Sequence, residues 1–365
     1  MNRRTFGLRV ALGFGLCVTG LNAAVAQPGA VAQASEATRP KVRLIATGGT
    51  ISNHTGGRLT ADELLKSAPA LDRYVRAEGE QFANVASSEL TLTQWLELAR
   101  RINDAFRQDP ELTGVVVTSG TDTLEETAYF LNLTIRTDKP VVVVGSMRNP
   151  STVGYEGAAN LLEAFRVAAE PSSRGKGVLV VLNDEINAAR EVTKTDALRL
   201  QTFQSRGYGV LGVVDSDRVV YYRTGLKRHT SQSEFDVSSL KELPRVDVIM
   251  VYQGASGDLI KAAVDRGAKG IIIASAGAGA TSGTQRDGIE YAVQKGVFVV
   301  TSTRTGSGRI APSRGPRQTG GDERTDGGYR ISAEDLAPLK ARVLLMLAIA
   351  AHADGAAVQR MFSEY

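Results

Sequence analysis

Three short segments of the chain place hydroxyl, carboxylate and amine side chains after predicted strands. Thr50 lies near the end of segment 45–51, Thr121 and Asp122 lie in segment 114–123, and Lys194 lies in segment 189–195. A threonine hydroxyl is a weak nucleophile unless a base takes its proton, and a lysine held neutral by its surroundings can do that. An aspartate beside the pair could orient the lysine or hold the ammonium group of a substrate. The chemistry that fits these side chains is acyl transfer on a small amide.

The sequence offers no pattern for binding a metal or a nucleotide cofactor. Its three histidines, His54, His229 and His352, are scattered without ligand spacing. The paired glycines of segment 45–51 lack the third spaced glycine of a dinucleotide fingerprint and the Gly-Lys-Thr of a phosphate-binding loop. The single cysteine, Cys17, falls in a predicted export signal, so the processed chain is expected to have neither a disulfide nor thiol chemistry. We predict no metal and no cofactor.

Each of the three segments also has a purely structural interpretation. Thr121 or Asp122 could merely cap the helix that follows. Thr50 could sit in a tight turn with its hydroxyl satisfied, and a lysine such as Lys194 is usually solvated. Because all of these residues follow predicted parallel strands, a functional role is favoured over the structural one. Residues that follow parallel strands meet at the edge of a sheet where backbone N–H groups and helix dipoles converge on ligands.

An alternation of strand and helix patterns predicts the elements that bring these residues together. Apolar, β-branched runs are typical of strands buried on both faces. The predicted strands are 42–46, 115–117, 141–144, 178–182, 246–252, 270–274 and 297–301, and the predicted helices are 61–67, 94–106, 124–133, 157–169, 259–266, 288–295 and 340–352. This alternation predicts parallel sheets covered by helices on both faces. The last helix is too short to span a membrane and is predicted to belong to the core.

The length and one polar stretch predict two domains. About 325 residues follow the N-terminal segments, which is more than one compact core usually holds. The stretch 224–242 is polar and interrupts the alternation, so we place a domain boundary near 225–245.

Residues 1–26 have the layout of an export signal. Arg3 and Arg4 give it a positive start and resemble a twin-arginine motif, an apolar run follows, and 24–26 fits a small-residue cleavage site. Residues 27–40 are predicted to be a flexible lead-in, and we expect a periplasmic or secreted protein without membrane attachment after processing. Three of the 43 lysines and arginines lie in the signal, which leaves 40 basic against 39 acidic residues. No nucleic-acid-binding face is implied.

The residues resemble the bacterial L-asparaginase/glutaminase family, most closely its exported, type II branch. Segment 46–51, Ala-Thr-Gly-Gly-Thr-Ile, and segment 118–127, Thr-Ser-Gly-Thr-Asp-Thr-Leu-Glu-Glu-Thr, carry the likeness. Segments 144–148, 191–195, 302–306 and 340–345 extend it from about residue 41 to the C-terminus. The resemblance implies an N-terminal doubly wound domain of flavodoxin or Rossmann type over 41–230 and a smaller C-terminal α/β domain over 245–365. It also implies a homotetramer built as a dimer of dimers, with active sites between subunits.

The resemblance assigns roles residue by residue. Thr50 matches the family's first catalytic threonine, the usual candidate for the acyl-enzyme nucleophile, and Thr121 matches the second threonine, whose group Asp122 and Lys194 complete. Ser87 falls where a serine contacts the substrate α-carboxylate, and Asp122 where a carboxylate meets the α-ammonium group. The residues expected to bind substrate are Ser87, Ser88, Gly120, Thr121, Asp122 and Ser146. The implied reaction is hydrolysis of the side-chain amide of L-asparagine to L-aspartate and ammonia.

The sequence departs from the family pattern in the lid that follows the first threonine. That lid normally carries a catalytic tyrosine, yet the sequence has none between Ile51 and Tyr74, and alignment puts His54 near the missing position. His54 could substitute, a tyrosine could come from elsewhere, or the mechanism could depend more heavily on Thr121 and Lys194.

A second departure concerns the residues that a neighbouring subunit contributes. Gly254 replaces an asparagine that one branch supplies, and Glu323 or Asp322 is the candidate for the acidic residue. The alternatives to an asparaginase are a glutaminase-asparaginase with broad small-amide specificity and a weakly active or ligand-binding homologue.

Overall fold

The computed structural model describes residues 39–312 and 328–365, so the predicted export signal lies outside the described residues. The first part of the chain contains β1 (Lys41–Gly48), β2 (Asn53–His54), β3 (Gly57–Arg58), α1 (Ala61–Ser67), β4 (Arg76–Val85), α2 (Leu92–Gln108), β5 (Leu112–Thr118), α3 (Leu124–Thr134), β6 (Val141–Val144), α4 (Gly157–Ala169), β7 (Val178–Leu182), β8 (Glu185–Ala188), β9 (Thr193–Lys194), β10 (Phe203–Gln204), β11 (Gly212–Val214) and β12 (Val219–Tyr221). The second part contains β13 (Val246–Met250), α5 (Asp258–Asp265), β14 (Gly270–Ser275), α6 (Gln285–Gln294), β15 (Phe298–Thr303), β16 (Arg330–Ser332), α7 (Pro338–Ala350) and α8 (Gly355–Glu364).

The larger sheet has eight strands in the order β12-β11-β8-β7-β6-β5-β1-β4. The five strands from β7 to β4 are parallel, while β8, β11 and β12 pair antiparallel at one end. Along the chain the parallel strands run 2-1-3-4-5, the doubly wound order found in flavodoxin-like folds. The strand order reverses between β1 and β5, and ligands bind at such a switch point. The predicted doubly wound sheet is therefore confirmed.

Successive valines of β5 face opposite layers of helices. Val115 and Val117 pack in the core cluster that includes α2 and α3, whereas Val116 packs in the cluster that includes α1 and α4. Because side chains alternate across a strand, an unbroken valine run is stable only when both faces are covered. The predicted coverage of both faces is confirmed.

The smaller sheet is parallel and has the order β13-β14-β15-β16. Helices α5 and α6 pack on one face, and α7 packs on the other and against α3. The predicted assignment of α7 to the core is confirmed, since eight of its residues are buried, Lys340 among them. No helix within the described ranges is long and apolar enough to cross a membrane.

Four strands of the large sheet are not predicted by the sequence patterns. Strand β4, with the sequence Arg-Ala-Glu-Gly-Glu-Gln-Phe-Ala-Asn-Val, lies at the sheet edge, where polar side chains remain half-exposed. Strands β8, β11 and β12 are only three or four residues long and leave the βα alternation. Helix α6 begins at Gln285 rather than at the predicted residue 288.

Candidate active site

Two glycine-containing turns touch at the switch point between β1 and β5. Gly49 has a φ of +87°, and a Cβ atom there would lie 2.2 Å from the backbone nitrogen of Gly120. Only glycine allows such close approach in this backbone conformation without strain. Thr50 and Thr121 each follow one of the touching glycines, so the fold brings the two predicted threonines to one place.

Thr121, Lys194 and Asp122 form a hydrogen-bonded group. The Lys194 Nζ atom donates to Thr121 Oγ1 at 3.0 Å and to Asp122 Oδ1 at 2.7 Å. Thr121 is buried, the Lys194 side chain is 16% exposed, and the Asp122 side chain is 73% exposed. Because Asp122 is so open to solvent, its ion pair with Lys194 contributes little to stability. The pair instead orients the Lys194 amine beside the Thr121 hydroxyl.

The turn that carries Thr50 is held by backbone groups, including the Thr50 carbonyl that accepts from the Asn53 N–H, and by neighbouring side chains rather than by the Thr50 side chain. The Gly49 carbonyl accepts from the Ser52 N–H at 3.2 Å and from the Ser52 hydroxyl at 3.0 Å. The Ile51 carbonyl accepts from the Tyr155 hydroxyl at 2.9 Å. Within the part of the chain that the structure describes, the Thr50 hydroxyl has no hydrogen-bond partner, which leaves its oxygen uncommitted.

Ser87 lies directly against the Thr121 turn. It begins a short 3₁₀ turn after β4, and a Cβ atom on Gly120 would lie 2.8 Å from its Oγ atom. The Ser87 Oγ accepts from the Thr123 N–H at 3.3 Å, and the Thr123 hydroxyl donates to the Ser87 carbonyl at 3.0 Å. Ser87 therefore keeps its own hydroxyl proton available to donate to a ligand.

A buried carboxylate and a buried amine, which the sequence analysis missed, hold the strand that carries Lys194. Glu125 Oε1 accepts from the Thr193 hydroxyl at 2.9 Å and from the Lys194 N–H at 3.2 Å. Lys340 donates to the carbonyls of Arg190 and Val192, and its Nζ lies 3.8 Å from Glu125 Oε2. Burial lowers the pKa of Lys340 to about 8, against which the negative charge of Glu125 acts. A glutamate inside an apolar helix, as in 124–131, is the signal that could have identified Glu125.

The remaining predicted residues lie in different settings. Ser88 is exposed beside Ser87. Ser146 is buried, and its hydroxyl donates to the Arg148 carbonyl at 2.6 Å. His54 lies on the β2–β3 hairpin, where its Nδ1 is 2.9 Å from the Thr55 carbonyl oxygen.

The positions expected to serve a neighbouring subunit are only partly described. Gly254 has a φ of +74°, a conformation that asparagine also tolerates. Glu323 and Asp322 lie outside the described residues. Across residues 39–312 and 328–365, no group of three histidine, cysteine or acidic residues could hold a metal ion.

The arrangement at the switch point combines an uncommitted hydroxyl, a second hydroxyl bonded to an amine, and an exposed carboxylate. These are the groups that covalent acyl transfer and the recognition of a zwitterion need.

Comparison with known proteins gives the same family for both parts of the chain. The family described as "Asparaginase, N-terminal" matches residues 41–227, and the one described as "Glutaminase/Asparaginase C-terminal domain" matches residues 245–362.

Three similar proteins match most of the chain. "L-asparaginase 2" of Bacillus subtilis is 42% identical over 337 residues, covering 89% of this chain and 87% of its own. "Probable L-asparaginase periplasmic" of Haemophilus influenzae is 37% identical, covering 92% of this chain and 96% of its own. A solved structure of a "Probable Cytoplasmic L-asparaginase" from Campylobacter jejuni has a TM-score of 0.80 at 39% identity, covering 90% of this chain and 100% of its own. The threonine pair at the switch point and these matches together show that the chain belongs to the bacterial asparaginase family.

Proposed function

We propose that this protein hydrolyses the side-chain amide of L-asparagine to L-aspartate and ammonia through an acyl-enzyme on Thr50. The observation that carries the proposal is the Thr121–Lys194–Asp122 group, with Lys194 Nζ 3.0 Å from the Thr121 hydroxyl, beside the turn that carries Thr50. The uncommitted Thr50 hydroxyl would supply the nucleophile, and the amine-bonded Thr121 hydroxyl on the adjoining turn would supply a route for its proton.

The proposed reaction has two halves. In the first, the Thr50 oxygen attacks the amide carbon, the C–N bond breaks, and ammonia leaves with the hydroxyl proton, giving an ester on Thr50. In the second, water attacks that ester, the C–O bond to Thr50 breaks, and aspartate is released as Thr50 regains a proton. Thr121 and Lys194 would transfer the protons in both halves, because their contact is already formed.

Substrate recognition would use an anionic acceptor for the α-ammonium group and a hydroxyl donor for the α-carboxylate. Asp122 is exposed and can accept from an α-ammonium group, while the hydroxyl of Ser87 can donate to an α-carboxylate. The exposed Ser88 and the backbone of Gly120 adjoin this position. A role for Ser146 in substrate binding stays a prediction. Its hydroxyl donates to the Arg148 carbonyl, so it would have to give up that bond to donate to a substrate.

The assembly and the location of the protein form part of the same proposal. We infer a homotetramer in which 41–230 of one subunit and 245–365 of its neighbour complete each site, with His54 and Glu323 as further contributors. The Arg3–Arg4 pair and the cleavage site at 24–26 favour export of this protein, as the type II branch implies. N-terminal sequencing of protein recovered from the periplasm should begin at or near Gln27. A chain retaining Met1 in the cytoplasm would refute the export.

Glutamine is the second candidate substrate, since one family match carries glutaminase in its description. One methylene changes binding in a pocket by only about 1–3 kcal/mol, so both amides can be turned over. The test is kcat/KM for asparagine and glutamine side by side, with Thr50→Ala as the control. We expect ammonia release from asparagine that Thr50→Ala abolishes. No release from either amide by the folded, wild-type protein would overturn the proposed function.

A further inference from the structure

The hairpin after Thr50 is tied to the loop between β6 and α4 at two points. The Tyr155 hydroxyl donates to the Ile51 carbonyl at 2.9 Å, and the Thr55 N–H donates to the Ser151 hydroxyl at 2.9 Å. The first bond lies one residue beyond Thr50, and the second lies at the hairpin tip. One loop therefore braces both the base and the tip of the hairpin.

Tyr155 is itself firmly placed. Its ring packs against the apolar cluster that contains Ile51, and a Cβ atom on Gly157 would lie 2.4 Å from the ring. Burial raises the pKa of Tyr155 to about 12. At neutral pH the phenol is therefore protonated and acts as a donor, so it cannot serve as the base for Thr50.

The Ile51 carbonyl is one point where a distant segment holds the turn around Thr50, and the Gly49 N–H, which donates to the Val85 carbonyl at 2.9 Å, is another. The bonds from Ser52 to the Gly49 carbonyl, and from the Leu59 N–H to the Ser52 carbonyl at 2.7 Å, all lie within the segment itself. The Tyr155 bond comes from a residue 104 positions away. It fixes the Ile51–Ser52 peptide plane, the second plane after Thr50, and so restricts rotation of the backbone that carries the Thr50 side chain.

We propose that Tyr155 is a positioning residue whose hydroxyl, through the Ile51 carbonyl, fixes the Thr50 turn in the orientation needed for attack on the amide. The inference rests on the proposed function, because it gives Thr50 the role of nucleophile. It assigns to Tyr155 the support of a hairpin that has no tyrosine of its own, and leaves proton transfer to other groups.

The test compares Tyr155→Phe with Tyr221→Phe. Tyr221 is a matched control because it packs at the same apolar cluster and its hydroxyl bonds to the Ser173 hydroxyl at 2.6 Å. Each variant loses one hydroxyl and keeps its ring. We expect Tyr155→Phe to lower kcat for asparagine about tenfold, the scale of one lost hydrogen bond, with KM within about twofold and the shape of the pH profile unchanged. Tyr221→Phe should leave kcat unchanged.

A readout that does not depend on turnover separates this inference from the proposed function. Amide hydrogen exchange over 49–54 should become faster in Tyr155→Phe and not in Tyr221→Phe. A wild-type protein that releases no ammonia defeats the proposed function, while exchange still decides whether Tyr155 holds the turn. An active wild type with equal kcat values in the two variants, or equal exchange over 49–54, overturns the positioning role. A changed alkaline limb in Tyr155→Phe would also overturn it, since the phenol would then act as a base.

Discussion

Lys340→Met should change how the stability of this protein depends on pH. Lys340 is 1% exposed, and its Nζ contacts two backbone carbonyls and lies near Glu125. Its pKa falls from 10.5 in the unfolded chain to about 8 in the folded protein, mainly because burial penalises the charged amine. Between those values the unfolded chain binds the proton and the folded protein does not. Stability contributed by this group must therefore rise with pH from 8 to 10.5.

The size of this rise follows from the shift. Each unit of pKa corresponds to 1.36 kcal/mol, so the lowering represents about 3 kcal/mol. The folded protein is destabilised by this full amount below pH 8, and the destabilisation is absent above pH 10.5. Methionine cannot titrate. The free energy of unfolding of the wild type minus that of Lys340→Met should therefore grow by up to about 3 kcal/mol between pH 7.5 and 10.5. At pH 7.5 the variant loses contacts to two carbonyls, each worth about 1–3 kcal/mol when left unpaired.

Urea unfolding at a fixed protomer concentration measures this difference. Trp95 is the only tryptophan in the chain, is buried and stacks on Phe130 at 5.2 Å, so its fluorescence reports unfolding of the larger domain. The exposed Lys241 provides the control, and Lys241→Met should follow the wild type at every pH. A difference between wild type and Lys340→Met that stays constant from pH 7.5 to 10.5, or that shrinks, would show that Lys340 does not lose its proton on folding in this range.

Three further predictions concern a second buried group, the hairpin and the assembly. Burial and the neighbouring Asp184 raise the pKa of Glu163 to about 8, so stability is lost as pH rises from 4.5 to 8. Glu163→Gln should raise the urea midpoint at pH 9 and change it little at pH 5; equal effects at both would contradict this. His54→Phe should lower kcat for asparagine by less than about threefold, because the imidazole contacts its own hairpin; a loss of 100-fold would give it the role of the missing tyrosine. Dilution should abolish activity before it abolishes secondary structure, and an active monomer in sedimentation would defeat the intersubunit site.

The sequence predicts those parts of the site that depend on local pattern. Thr121 follows a valine run and precedes an apolar helix, so its place at a strand end needs only neighbouring residues. The sequence also predicts that Lys194 lies at the same sheet edge, where its amine bonds to Thr121 and Asp122. Strand β4 was missed because an edge strand keeps polar side chains and loses the apolar signal.

Contacts between distant segments cannot be predicted from a single sequence. Tyr155 reaches Ile51 across 104 positions, and Lys340 reaches Arg190 across 150. Nothing in the local composition around Tyr155 or Lys340 indicates those partners, because they meet only when the layers pack. Glu125 is an intermediate case, since a carboxylate inside an apolar helix indicates a buried partner, but its partners Thr193 and Lys340 lie far along the chain.

In the proposed reaction Thr121 and Lys194 act as one catalytic unit beside Thr50, and a double-mutant cycle on kcat can measure whether they do. Thr121→Val removes the hydroxyl, Lys194→Met removes the amine, and ammonia release from asparagine is measured for both single variants and the double variant. Each single change should cost about 100- to 10,000-fold in kcat, with the double variant little worse than either. Effects that multiply in the double variant, or near-normal ammonia release from Lys194→Met, would show that the two residues do not act as one unit.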